Sequence, residues 1–284
     1  MTAAVRRGAG VLLSLALATG AAGCTTSPPA RPDATIHHYV ALGDGFTAAP
    51  YAGRSSDRAC LRSQDNYPAL LAEGLRIAHV KDVSCTGATT TALTQRTRPV
   101  DGDSKVAPQF DALSRDTDLV TLGIGIGDRD LLAHMFAMCT AAPCGARIAP
   151  QSVADDLDEV GASLTEAVRA IQVKAPTAYI VLVGYPQIPP DGGHCPGLPP
   201  LDADGLALAG SVIAQLNAAI QSSARETGSS YLDTAALSEG HALCSSSPWV
   251  SGRKGEPGTS VPFHPVAAEQ RAVATALATL VRTR

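Results

Sequence analysis

Short apolar runs alternate with longer stretches of helical periodicity along almost the whole chain. That rhythm constrains the fold more than any single residue does. "HHYVALGD" (37–44), "VKDVSC" (80–85), "TDLVTLGIGIGD" (117–128), "AYIVLVGYP" (178–186) and "SSYLDTAAL" (229–237) read as strands. Between them, "NYPALLAEGLRI" (66–77) reads as a helix with Asn66 as its cap and Pro68 in its first turn. Residues 155–174 place Leu157, Val160, Leu164, Val168 and Ile171 on one helical face. Residues 203–227 form a long Ala-rich helix, and residues 265–282 form a last one opened by Pro265. Alternating strand and helix predict an α/β fold, a parallel sheet covered by helices on both faces. No internal repeat or second core is visible, so 37–284 is expected to be one domain. A 45% hydrophobic share is ample for its core.

The N-terminus is not part of that domain. Arg6 and Arg7 precede an apolar run from about Val11 to Ala18, followed by "TGAAGC". A positive start, a short apolar stretch and small residues are the pattern of a secretory signal, here residues 1–23. "AAGC" places Cys24 where a bacterial lipoprotein carries its lipid, and residues 24–36 then read as a tether. The chain is therefore expected to be exported and lipid-anchored to the outer face of the cell membrane. Plain secretion is the alternative.

Export bears on the other six cysteines: Cys60, Cys85, Cys139, Cys144, Cys195 and Cys244. An even number in an exported chain suggests disulfides, though the spacing alone leaves their pairing open. No C-x-x-C occurs and His194 beside Cys195 lacks a second ligand pair, so no metal or cofactor is expected. The net charge is −4 with 17% charged residues, which excludes a nucleic-acid-binding surface.

In open parallel sheets, ligands sit beyond the carboxyl ends of the strands. "GDG" (43–45), "CTGATTT" (85–91), "IGIGD" (124–128) and the segment around His264 all fall at strand ends or in late loops. In that order they resemble the SGNH (GDSL-type) hydrolases, and most closely the exported actinobacterial branch with three disulfides. The resemblance spans residues 37–282. It implies a single flavodoxin-like three-layer domain with a central parallel sheet, and an esterase site. Gly43 and Asp44 match the family's first block, but Gly45 stands where the nucleophilic Ser would be. Gly87 matches the oxyanion-hole glycine. Gly127 stands where an Asn would supply a further oxyanion donor. His264 matches the family's base, and "PWV" (248–250) resembles the segment that precedes it. Val261 stands where an Asp would orient the base, a task that a backbone carbonyl, taken here as that of Val261, performs in this branch. The same resemblance implies the pairs Cys60–Cys85, Cys139–Cys144 and Cys195–Cys244.

Gly45 offers His264 no hydroxyl to deprotonate. Loss of a serine nucleophile lowers turnover by about 10⁶, and loss of one oxyanion donor by about 10² to 10³ more. The reading is therefore a degraded esterase homologue whose cleft binds an acyl, glycan or other envelope ligand, or docks a protein partner. The alternative is an active carboxylic-ester hydrolase using His264 with another nucleophile or water. Thr47 is two residues on along a helix, turned by about 200° and so away from the site. Thr86 and Thr89 flank Gly87.

Each residue also has a plainer reading. Gly43, Gly45 and Gly87 serve turns with positive φ. Asp44 satisfies loop N–H groups. Asp128 and Asp130 cap the helix that follows them, and Trp249 packs in the core or at its rim.

Overall fold

The computed structural model describes residues 35–131, 150–190, 192–193, 195–198, 201–255 and 261–284. The expected signal segment, Cys24, most of the tether, and the pair Cys139 and Cys144 lie outside the described residues.

The sheet is built from β1 (His38–Gly43), β4 (His79–Asp82), β5 (Leu119–Gly123), β6 (Tyr179–Val183) and β7 (Ser230–Leu232), in the order β4-β1-β5-β6-β7. Every pairing is parallel. A small antiparallel pair, β2 (Ser55–Asp57) and β3 (Arg62–Ser63), stands apart. Counting the parallel strands alone, the order is 2-1-3-4-5, which puts the reversal of strand order between β1 and β5.

Alternation along each strand feeds two cores. Val40, Leu42, Val120, Leu122, Ile180 and Leu182 face one side, with the inner faces of the two long helices α4 (Pro150–Lys174) and α5 (Ala203–Thr227). Tyr39, Ala41, Leu119, Val181 and Val183 face the other, with α2 (Tyr67–Leu75) and the C-terminal helix α7 (Ala267–Arg282). Ile36 is buried in this second core, so the packed chain starts before the expected boundary at residue 37. The short helices α1 (Gly45–Ala48), α3 (Thr91–Thr94) and α6 (Thr234–Leu237) sit at the ends of strands or in the loops that follow them.

The Asn66 cap forms as expected: its Oδ1 accepts the Ala69 N–H at 3.1 Å, with Pro68 in the first turn of α2. The strands are shorter than their expected runs, and two of those runs end in other structure. Residues 124–128 leave the sheet to form a turn. Residues 234–237 form α6 rather than strand, because the Asp233 carboxylate caps the Ala236 N–H at 3.0 Å.

Candidate active site

The switch point brings the glycine at the end of β1 against that at the end of β5. Gly43 pairs with Gly123, and the Asp44 N–H donates to the Gly123 carbonyl at 3.0 Å. A Cβ on Gly43 would lie 2.1 Å from Thr47 Oγ1 and 2.7 Å from the Gly123 oxygen, so close approach demands this glycine. Gly43 and Gly45 are not among the residues with positive φ, so the turn reading does not explain them. Gln109 holds the strand end by both edges of Gly43, accepting its N–H at 2.8 Å and donating to its carbonyl at 2.9 Å.

At position 45 the chain faces the late loop. A Cβ on Gly45 would lie 2.4 Å from His264 Nε2 and 3.5 Å from the Thr86 methyl. The imidazole occupies the volume where a side chain at 45 would begin. His264 Nδ1 is 2.9 Å from the Pro262 carbonyl, so Nδ1 carries the proton and the Nε2 lone pair faces Gly45. Burial lowers the pKa of the ring, opposed in part by the Pro262 bond, and keeps it neutral near pH 7.

The carbonyl that orients His264 belongs to Pro262, not to Val261 as expected. The Val261 carbonyl instead accepts the backbone N–H of His264 at 3.2 Å and the Ser251 hydroxyl. The intervening Phe263 is left-handed, φ 59°, which turns the loop tightly enough for the ring to reach the nearer carbonyl. The loop pairs with the segment around "PWV": Ser251 N–H donates to the His264 carbonyl and Val266 N–H to that of Trp249. Trp249 is half-buried and stacks on His241 at 4.4 Å.

Asp44 is buried and makes no bond to His264. Its carboxylate takes the Phe46 N–H at 2.8 Å, capping α1, and the Tyr185 hydroxyl at 2.6 Å. Burial raises its pKa to about 7, against the pull of those two bonds. The plainer reading of Asp44, a group that satisfies the loop, is the one its contacts describe. Thr47, as expected, is turned elsewhere: its hydroxyl donates to the Gly123 carbonyl at 3.1 Å and lies 3.2 Å from the Tyr67 hydroxyl.

Gly87, φ +79°, lies in the turn after Cys85. The Cys60–Cys85 disulfide and a bond from Cys85 N–H to the Gly43 carbonyl lock that turn beside β1. The N–H groups of Gly45 and Gly87 take part in no hydrogen bond among the described residues. Gly127 stands opposite the same turn, where a Cβ would lie 3.3 Å from the Ala88 carbonyl. Asp128 does not cap the helix after it. Its carboxylate accepts the N–H and hydroxyl of Thr90, tying the Gly87 turn to the end of β5. The side chain of Asp130 lies outside the described residues. The Cys195–Cys244 bridge is present too. No group of three or more His, Cys, Asp or Glu is placed to hold a metal among the described residues.

Four residues carry the site without having been singled out in the sequence. Gln109 clamps Gly43. Tyr185 joins Asp44 to the β5 loop by also accepting the Ile126 N–H at 3.0 Å. Asn217 holds the backbone of Tyr185 from both sides. Gln270 bridges α1 to α2, donating to the Phe46 carbonyl and accepting the Tyr67 N–H. Their one shared signal is a polar residue on an otherwise apolar strand end or helix face.

Residues 41–272 match the model of the GDSL-like lipase/acylhydrolase family. Lipase 2 of Streptomyces coelicolor is 34% identical over 266 residues, covering 87% of this chain and 86% of its own. The crystal structure of phospholipase A1 from Streptomyces albidoflavus superposes with a TM-score of 0.72 at 28% identity, covering 86% of this chain and 99% of that one. That of the extracellular lipase from Streptomyces rimosus gives 0.71 at 27% identity, covering 85% and 98%. With the match running from β1 into the C-terminal helix, in sequence and in fold, the chain belongs to the GDSL-like lipase/acylhydrolase family.

Proposed function

We propose that this chain is an exported, lipid-anchored member of the family whose cleft seats an acyl ester while the serine route of hydrolysis is closed. The observation that carries the reading is the exchange of volume at position 45. There is no hydroxyl on Gly45, and His264 Nε2 lies 2.4 Å from where its Cβ would be. A side chain at 45 has to push back the far end of the His264 ring before it can stand between the base and a substrate carbonyl. The parts that recognise an ester are retained: the free N–H groups of Gly45 and Gly87, and a neutral imidazole with a fixed tautomer. The lipase and phospholipase relatives favour acyl ligands over glycans as occupants, and the "AAGC" segment at Cys24 favours a location at the membrane surface.

The test is hydrolysis of short and medium acyl p-nitrophenyl esters by the full chain, beside Gly45→Ser and the double variant Gly45→Ser with Gly127→Asn. The double variant is expected to exceed wild type by about 10³-fold or more, since it regains a nucleophile and one oxyanion donor. A wild type as fast as the double variant would sink the reading.

A further inference from the structure

Thr86 is 6% exposed, and its hydroxyl oxygen, fully buried, has no hydrogen-bond partner among the described residues. A buried hydroxyl left unpaired is destabilising and calls for an explanation. The same side chain borders the vacated space: its methyl is 3.5 Å from the Cβ position of Gly45, and His264 Nε2 is 2.4 Å from that same point. Nε2 is likewise unpaired among the described residues. The Thr86 methyl and the unpaired Nε2 therefore flank one small volume, and the unpaired hydroxyl sits on the same Cβ as that methyl. A turn of about 120° about the Thr86 Cα–Cβ bond exchanges methyl for hydroxyl, from one staggered well to another. The backbone is already fixed for this, because the Thr86 N–H donates to the Cys60 carbonyl at 3.1 Å and the neighbouring Cys85 is bridged to Cys60.

We propose that Thr86 is the acyl-accepting hydroxyl of this cleft, with His264 as its base. The inference rests on the reading of the cleft as an acyl-ester site, and adds where the acyl group goes. Thr86 Oγ1 attacks the ester carbonyl as its proton passes to His264 Nε2. The Nδ1–H bond to Pro262 supports the imidazolium so formed. The developing oxyanion meets the N–H groups of Gly45 and Gly87. The alkoxide leaves with the proton from Nε2, and an acyl-threonyl ester remains. Water, deprotonated by the same imidazole, then releases the acid and restores the hydroxyl. Ester and water give acid and alcohol, and no further reactant is needed. Thr47 cannot take this part, because its hydroxyl is committed to Gly123 and Tyr67.

The experiment is covalent labelling of the full chain with an alkyl fluorophosphonate, with peptide mass mapping of the adduct. The expected result is an adduct on Thr86 that is absent in Thr86→Val, retained in Thr86→Ser and formed about 10²- to 10⁴-fold more slowly in His264→Ala. No adduct, an adduct elsewhere, or one that survives Thr86→Val overturns the proposal. Thr86→Val should melt no lower than wild type, since the hydroxyl it removes is unpaired; a lower melting temperature means the hydroxyl has a structural partner, and also overturns it. Gly45→Ser separates the two readings. If it is labelled at position 45 while wild type is unlabelled, the acyl cleft stands and Thr86 falls. If neither is labelled, both fall.

Discussion

At the residue scale, position 45 and His264 compete for one volume. Any side chain at 45 must displace the ring, which is held by one bond to Pro262 and by stacking on Phe46 at 5.9 Å. Gly45→Ala isolates the steric part. It is expected to destabilise wild type by about 1–3 kcal/mol, as overpacking does, and His264→Ala by much less. The coupling of the two changes in a denaturant-unfolding cycle measures the conflict; additive effects would show that the ring moves aside freely. Tyr185 is the other residue on which the site turns. Tyr185→Phe leaves Asp44 and the Ile126 N–H each short of a buried partner. The expected loss is about 2–4 kcal/mol in thermal or chemical unfolding, well above the cost of an exposed tyrosine hydroxyl.

At the element scale, the site is three loops fastened to one sheet edge. The Gly87 turn is held by Cys60–Cys85 and the His264 loop by its pairing with residues 249–251. In the unfolded chain a bridge across 25 residues is worth about 3–4 kcal/mol. Cys60→Ser with Cys85→Ser should therefore lower the unfolding midpoint and loosen the Gly87 turn first, seen as faster amide exchange at residues 85–88 than in β5. Uniform loosening would count against a local role for the bridge. This scale also divides what the sequence makes legible from what it hides. Helices α2 and α5 are readable because cap and periodicity are local: Asn66 reaches three residues to Ala69, and Gly228 ends α5 in the left-handed region that suits it. The same local chemistry misleads at 229–237, where one carboxylate at Asp233 outweighs the β character before it. The glycines and His264 are legible because the family pattern lies in short contiguous segments. Gln109, Tyr185 and Gln270 are not, because they bond across 66, 141 and 224 positions. Only the folded chain brings those partners together. The choice of Pro262 over Val261 as the carbonyl for His264 depends on one left-handed residue, Phe263, which no propensity favours.

At the scale of the whole molecule, buried acids set how stability follows pH. Burial raises Asp44 from 3.8 to about 7 and Glu269 from 4.5 to about 8, the latter against the pull of a hydrogen bond from Gln270. In both, the folded state keeps a proton that the unfolded chain gives up at lower pH. Between the two pKa values the native state binds more protons, so stability is full below about pH 4 and falls as pH rises. Each group contributes at most about 1.4 kcal/mol per pH unit across its window. His264 acts in the opposite sense, because its lowered pKa gives stability that is lost on acidification below 6.5. Asp118, also lowered, is partly exposed and screened, and its effect lies at lower pH. Asp82 and Asp128 are raised by burial as well, and these four carboxylic acids outweigh one half-buried imidazole, so the melting temperature should fall steadily from about pH 5 to about pH 8. Above pH 7 the Asp44 contribution is largely spent while Glu269 still titrates. Glu269→Gln keeps the shape of the side chain without its titration. It should flatten the profile, most of all between about pH 7 and 8. Thermal unfolding followed by circular dichroism over that range decides the matter. A wild-type midpoint that rises with pH, or a Glu269→Gln profile as steep as wild type, would mean that these acids are ionised in the folded protein and that the floor of the cleft is wetter than its packing indicates.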